Sequence, residues 1–382
     1  MMIPANRLEH VKEYYFSSKL REVRALQAAG KPIINLGIGS PDLPPPKQVI
    51  AALNKGLTQN GAHQYQPYKG TAEFRNAVAG FYQKYYQVSL DPETEIIPLM
   101  GSKEGILHIS MAYLNEGDEV LIPNPGYPTY TSVSKLVGAK AIFYNLNEEG
   151  NWLPNFEELE QKDLSKVKIM WVNYPHMPTG ASATEEVFEQ LVAFGKKHQI
   201  LIVNDNPYSF ILNEHPKSIL KIAGAKEVAL ELNSLSKSFN MAGWRVGMLN
   251  GSAKNIDTVL KVKTNMDSGM FYPVQAGATA ALELDKNWFD AMNAIYKSRR
   301  AKILELAAAL GCKPGKEQAG MFIWCKVPEG KSSEEFVDNL LHDHSIFTAP
   351  GFIFGDMGEG YIRFSLCTDE KNVDEAIKRI KG

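Results

Sequence analysis

Cysteine is scarce: Cys312, Cys325 and Cys367 are the only three in 382 residues, an odd number with no close pair. Zinc and dithiol motifs need cysteines a few residues apart, so these read as reduced thiols used for packing, and no metal site is expected. There is no excess of charge of either sign. Lysines and arginines number 41 against 43 aspartates and glutamates, a net charge of −2, which leaves no overall field to gather nucleic acid or an anionic membrane. Long apolar runs are missing too. Nothing approaches the roughly 18 residues of a membrane span. The opening "MMIPANRLEHVKEYYF" carries charges where a secretory signal needs an apolar core. These absences point to a cytoplasmic protein with a small-molecule partner.

What is present suits a large globular chain: 44% hydrophobic and 22% charged residues are enough for a sizeable core and for two domains. Arg7 to Ala29 reads as a helix stopped by Gly30 and Pro32. "PIINLGIGSPDLPPP" reads as an irregular linker lying over something else. From about residue 95, helical patterns alternate with the apolar runs "EVLIP", "KIMWVN", "ILIVND" and "VALELNS", which look like buried parallel strands. Between two of them, "SATEEVFEQLVAFGKKH" opens with a capping box, Ser182 with Glu185, and sets Val187, Leu191 and Phe194 on one face. The expectation is a doubly wound α/β fold without internal repeats. After an amphipathic stretch from Trp288 to Leu310, "GMFIWCKV" and "GYIRFSLC" alternate like antiparallel strands of a smaller α+β domain.

In an open α/β sheet, ligands bind beyond the carboxyl ends of the strands, so the polar residues just after each run are the informative ones. After "ILIV" comes "NDNPY", with Asp205 and Tyr208. After "IMWV" come Asn173 and "PTG", and after "EVLIP" comes "NPGYPTY", with Tyr127. "LMGSKEGILHISMAYL" starts a helix at Gly101-Ser102, where free N–H groups and the positive dipole end suit a phosphate. "ELNSLSKSFNMAGWRVG" places Lys237 among small polar residues with Arg245 further on. Each feature alone has a plain reading as a cap, a turn or a solvated charge. A lysine on a loop, an anion cradle of Ser102, Ser234 and Arg245, a strand-end carboxylate and a tyrosine together fit one chemistry, a pyridoxal phosphate site.

At this point the chain resembles a class I aminotransferase of the pyridoxal phosphate-dependent, fold type I superfamily, over nearly its whole length. "SLSKSFNMAGWRVG" is similar to the family's lysine motif, "NDNPY" to its D-x-x-Y, "PGYPTY" to its ring-stacking segment, "MPTG" to the end of its N-P-T-G, and "YIRFSLC" to its carboxylate-binding arginine. The resemblance implies a mainly parallel sheet with helices on both faces plus a smaller α+β domain. Residues 1–45 would form an N-terminal arm and part of the small domain, 46–285 the large cofactor-binding domain and 286–382 the small domain.

The same resemblance implies that Lys237 holds the cofactor as a Schiff base and shuttles the proton. Asp205 would keep the pyridine nitrogen protonated, Tyr208 would donate to the phenolic oxygen and Tyr127 would stack on the ring. Ser102, Lys103, Ser234, Ser236 and Arg245 would hold the phosphate. Arg363 would grip the substrate carboxylate, with Gly39 and Ile38 of the N-terminal segment beside it. Tyr65 matches a tyrosine that crosses to the neighbouring subunit's phosphate and implies a homodimer.

The implied reaction moves an amino group from an L-amino acid to a 2-oxo acid. A carbon–sulfur β-lyase on the same fold is the alternative. A non-enzymatic ligand sensor would need an attached DNA-binding module, of which no pattern is left over. Relatives selective for dicarboxylic acids present a second arginine from the region matching "KTNMDSGMFYPVQ", which has none. Apolar or sulfur-containing side chains are therefore expected, with Tyr15, Phe16, Ile38 and Phe271 as pocket walls and diaminopimelate still open. One departure stands out: Met177 occupies the place of the family's asparagine before Pro-Thr-Gly. That leaves Tyr208 as the donor to the phenolic oxygen, alone or with Asn173 or His176.

Overall fold

The apolar runs in the middle of the chain become strands. The structure, a computed structural model, describes residues 2–9 and 15–382. Seven strands make one sheet: β1 (Ile96–Leu99), β2 (Glu119–Asn124), β3 (Lys140–Asn145), β4 (Val167–Val172), β5 (Leu201–Asp205), β6 (Ala229–Ser234) and β7 (Gly247–Gly251), in the spatial order β1-β7-β6-β5-β4-β2-β3. The pairs β2–β3, β2–β4, β4–β5 and β5–β6 are parallel. Strand β7 runs antiparallel to both of its neighbours, β6 and β1.

Alternate residues along these strands enter cores on opposite faces: Leu121 and Met170 on one side, Val120, Ile122, Ile169 and Trp171 on the other. Each face is closed by helices, which is why the strands read as continuous apolar runs rather than alternating ones. The helix Glu185–His198 buries Val187, Leu191 and Phe194 as its periodicity required, but its cap is not Ser182. Thr184 is the N-cap and accepts from the Val187 N–H. Glu185 is then the first helical residue rather than the third, and no box with Ser182 forms.

A four-stranded antiparallel sheet contains Lys313–Pro314, β8 (Phe322–Lys326), β9 (Tyr361–Ser365) and Ala349–Pro350. The helix Lys286–Ala309 leads into it. The N-terminal helix is described as Tyr15–Ala28, preceded by a 3-10 turn at Asn6–Leu8. Residues 10–14 of the helix expected from Arg7 lie outside the described residues. The glycine- and proline-rich segment does more than lie over the body. Ile34–Asn35 pairs in parallel with Ile346–Phe347, and Leu36 exchanges backbone hydrogen bonds with Phe347 and Ser365, both 2.7 Å.

Candidate active site

The carboxyl ends of β1, β4, β5 and β6 open on one cavity of about 390 Å³. Because β7 is antiparallel, its first residue, Gly247, lies opposite Leu99 of β1 and Ser234 of β6. The loop just before it, with Arg245, therefore arrives at the same end. Parallel strands place only their trailing residues there, so Arg245 owes its position to the reversed strand.

Lys237 follows β6 on a single turn of helix, Leu235–Ser238, capped by the Ser234 hydroxyl. Its Nζ donates to the Gly39 carbonyl at 2.5 Å, which ties the N-terminal segment to the cavity. A Cβ at Gly39 would meet the Phe322 ring at 2.2 Å, so any larger residue there would have to displace that ring. Burial penalises the ammonium and, with Arg363 and Arg245 adding like-charge repulsion, pushes the lysine down to about 8.

Asp205, the last residue of β5, is buried, and burial raises its carboxyl to about 7 against the opposing influence of the Tyr130 and Ser102 hydroxyls. Its Oδ2 accepts from the Tyr130 hydroxyl at 3.0 Å, while Oδ1 has no hydrogen-bond partner among the described residues. Tyr130 lies flat against Trp171, with centroids 4.9 Å apart, and edge-on to Tyr127. Its importance was not foreseen.

Ser102 begins the helix Ser102–Tyr113 just after β1 and lines the cavity. Gly101 before it takes φ +85°, and a Cβ there would strike the Arg245 guanidinium at 2.1 Å. Lys103, Ser234 and Ser236 line the same cavity, with the Ser234 and Ser236 hydroxyls 2.9 Å apart. Tyr127 and Tyr208 complete the wall, Tyr208 edge-on to Phe322.

Arg363, in the middle of β9, is buried. Its guanidinium lies 3.9 Å from the Phe322 centroid and 4.8 Å from that of Phe354, Nη2 donates to the Gly37 carbonyl at 2.9 Å, and Nη1 lies 3.2 Å from the Met177 sulfur. Met177 thus faces the cavity, and of the two residues that could compensate for it Asn173 lines the cavity beside it while His176 does not. The Asn173 amide donates to the Asp205 carbonyl and accepts from the Met177 N–H at 2.8 Å. His176 pairs Nδ1 with Thr179 at 2.8 Å and is absent from the lining.

Of the expected pocket walls, Phe16 lines the cavity; Tyr15, Ile38 and Phe271 do not. Tyr15 packs edge-on to Phe352, and Phe271 lies 6.0 Å from the His63 ring. Ile38 is exposed one residue before the lining Gly39, and Tyr65 is 90% exposed. Phe322 and Phe354, which the sequence did not single out, are brought in by the small sheet and the turn before β9. Among the described residues no helix is long and apolar enough to cross a membrane.

Comparison with known proteins agrees with this geometry. Residues 31–380 match the family described as aminotransferase class I and II. The chain is 40% identical to the LL-diaminopimelate aminotransferase of Aquifex aeolicus, over 99% of this chain and 98% of that one. Apo-BacF from Bacillus subtilis superposes with a TM-score of 0.96 at 35% identity, covering 100% of this chain and 98% of that one. The aromatic aminotransferase of Pyrococcus horikoshii superposes with a TM-score of 0.86 at 28% identity, covering 94% and 97%. The chain therefore belongs to the class I and II aminotransferases, enzymes of fold type I that move amino groups with pyridoxal phosphate.

Proposed function

We propose that Lys237 both carries the cofactor and moves the substrate proton, in a reaction that takes the amino group of an L-amino acid to a 2-oxo acid. One observation carries the assignment. A buried carboxylate with an unsatisfied oxygen, Asp205, shares a cavity with a lysine held near 8. The carboxylate calls for an N–H⁺ partner, and an amine with an appreciable neutral fraction near neutral pH is what reacts with an aldehyde; pyridoxal phosphate has both groups. When bound, it supplies a sink for the electrons left on the substrate Cα.

The chain's own residues do the rest. Ser102, Lys103, Ser234, Ser236 and Arg245 hold the phosphate, the last with a two-pronged guanidinium at a helix start. Tyr127 covers the ring, Asp205 takes the ring N–H, and Tyr208 donates to the phenolic oxygen. Arg363 binds the substrate carboxylate, with Gly39 and Ile38 at the edge of the site. Lys237 Nζ would take the proton from the substrate Cα as a base and, as an acid, deliver it to C4′ of the cofactor, roles open to an amine whose two protonation states are both populated near neutral pH.

The donor on this reading has an apolar or sulfur-containing side chain, since the segment 263–275 holds no arginine for a distal carboxylate. Diaminopimelate, named for the Aquifex aeolicus relative, is the second reading, supported by identity over nearly the whole chain. Exposed Tyr65 supports a homodimer in which each protomer's tyrosine reaches the other's phosphate site. A cytoplasmic setting and a division at residues 46 and 286 belong to the same proposal.

The test is Lys237→Ala. The purified variant should keep its fold by circular dichroism but lose its yellow colour, its borohydride-trapped cofactor adduct and its transamination. A trapped adduct as abundant as in the parent would move the assignment to another lysine.

A further inference from the structure

The cavity-lining side chains separate by chemistry. Asp205 is the sole carboxylate among the described lining residues, and Tyr130 already holds its Oδ2. The end of the cavity around Arg363 is apolar: the guanidinium is flanked by the rings of Phe322 and Phe354 and by the Met177 sulfur. One further ring lining the cavity, Phe16, comes from a distant part of the chain. Its helix, Tyr15–Ala28, docks through Val23 onto Leu341 and Phe347 and through the Lys19–Asp338 ion pair at 2.7 Å. Phe16 itself packs edge-on against Phe347, with centroids 5.8 Å apart.

With the α-carboxylate on Arg363 and the amino group at Lys237, as proposed above, the substrate side chain is left beside the arginine's apolar surroundings. A distal carboxylate there would need a second cation, and the ammonium of a zwitterionic end would need a second acid; burying either without a partner is costly. A ring or a large apolar group instead meets aromatic edges and a polarizable sulfur. We infer that the amino donor carries a large apolar side chain, aromatic by preference, and that Phe16 is the residue that reads it. This inference rests on the assignment of Arg363 and Lys237.

The experiment uses the holoenzyme with 2-oxoglutarate, read as glutamate formed, and L-phenylalanine, L-alanine, L-aspartate or LL-diaminopimelate as donors. Phenylalanine should be preferred over aspartate and diaminopimelate by about 100-fold or more in kcat/KM. Phe16→Ala should lower kcat/KM for phenylalanine by roughly 10- to 100-fold, the worth of one buried ring face, and leave alanine nearly unchanged, with Phe16→Leu in between. Calorimetry supplies a readout apart from turnover. 3-Phenylpropionate should bind at least about tenfold more tightly than propionate, and Phe16→Ala should cut that difference severalfold. Preference for aspartate or diaminopimelate would overturn the inference while leaving the aminotransferase assignment standing. An equal loss for phenylalanine and alanine in Phe16→Ala would make Phe16 a structural residue only. Glutamate from none of the donors would instead count against the assignment on which the inference rests.

Discussion

At Lys237 the decisive influence is loss of water. Burial disfavours the ammonium more than any neighbour does, Cys367 is the next largest influence and opposes it, and Arg363 and Arg245 reinforce the shift. The neutral amine grows as pH rises through about 8, well below the ordinary lysine range. Uptake of pyridoxal phosphate by cofactor-free protein, followed by visible absorbance, should therefore speed up with pH to a midpoint near 8. Replacing Arg363 with Gln removes a repelling cation and should move that midpoint upward. A midpoint near 10.5 would mean that the lysine is solvated in the cofactor-free protein. Asp205 is displaced in the opposite sense by the same cause, since burial disfavours the charged form of an acid as well.

Strand β6 shows how an element can contradict its own pattern. "ALELNS" is buried at every position, Glu231 included. That carboxylate accepts from the Tyr82 hydroxyl at 2.9 Å, the Ser218 hydroxyl at 2.8 Å, the Asn204 amide at 3.0 Å and the Ile219 N–H at 3.1 Å. Burial still raises its carboxyl above the usual range, but four donors satisfy it. Asn204 immediately precedes Asp205, so the network also ties down the strand end that enters the cavity. Glu231→Leu would orphan these donors within the core and should cost on the order of 3 kcal/mol or more. Equilibrium denaturation would show this as a lowered midpoint at unchanged slope, and an unchanged midpoint would mean that the network adds no stability.

At the scale of the whole molecule, the exposed aromatic and apolar residues Tyr65, Met266, Phe271 and Leu57 are 90%, 53%, 45% and 39% accessible in the single chain. The proposed homodimer gives them a use. Light scattering should return twice the monomer mass, and Tyr65→Phe should weaken pyridoxal phosphate binding by about tenfold while leaving that mass unchanged, as expected for one lost hydrogen bond to a charged group. A monomeric mass, or unchanged cofactor affinity, would remove Tyr65 from the phosphate site.

Local chemistry in the sequence determined the sheet class, the strand ends and the identity of the cofactor. Buried parallel strands need continuous apolar runs, and groups that serve a ring, a phosphate and a carboxylate must follow them; both are properties of neighbours in the chain. Thus Lys237, Asp205, Tyr208, Ser102 and Ser234 were legible, and all five line one cavity. Tertiary structure alone decided what depends on distant segments meeting. The reversal of β7 delivers Arg245, the helix Tyr15–Ala28 brings in Phe16 while Tyr15 turns away to Phe352, and the small sheet adds Phe322. It also decided the surroundings of Met177: of the two residues that could reach in for it, Asn173 lines the cavity with its amide tied to the Asp205 carbonyl, His176 is turned to Thr179 outside the lining, and Met177 itself lies against Arg363. No periodicity encodes such pairings, because a side chain's partner across the fold is set by how the layers pack and not by its place in the chain.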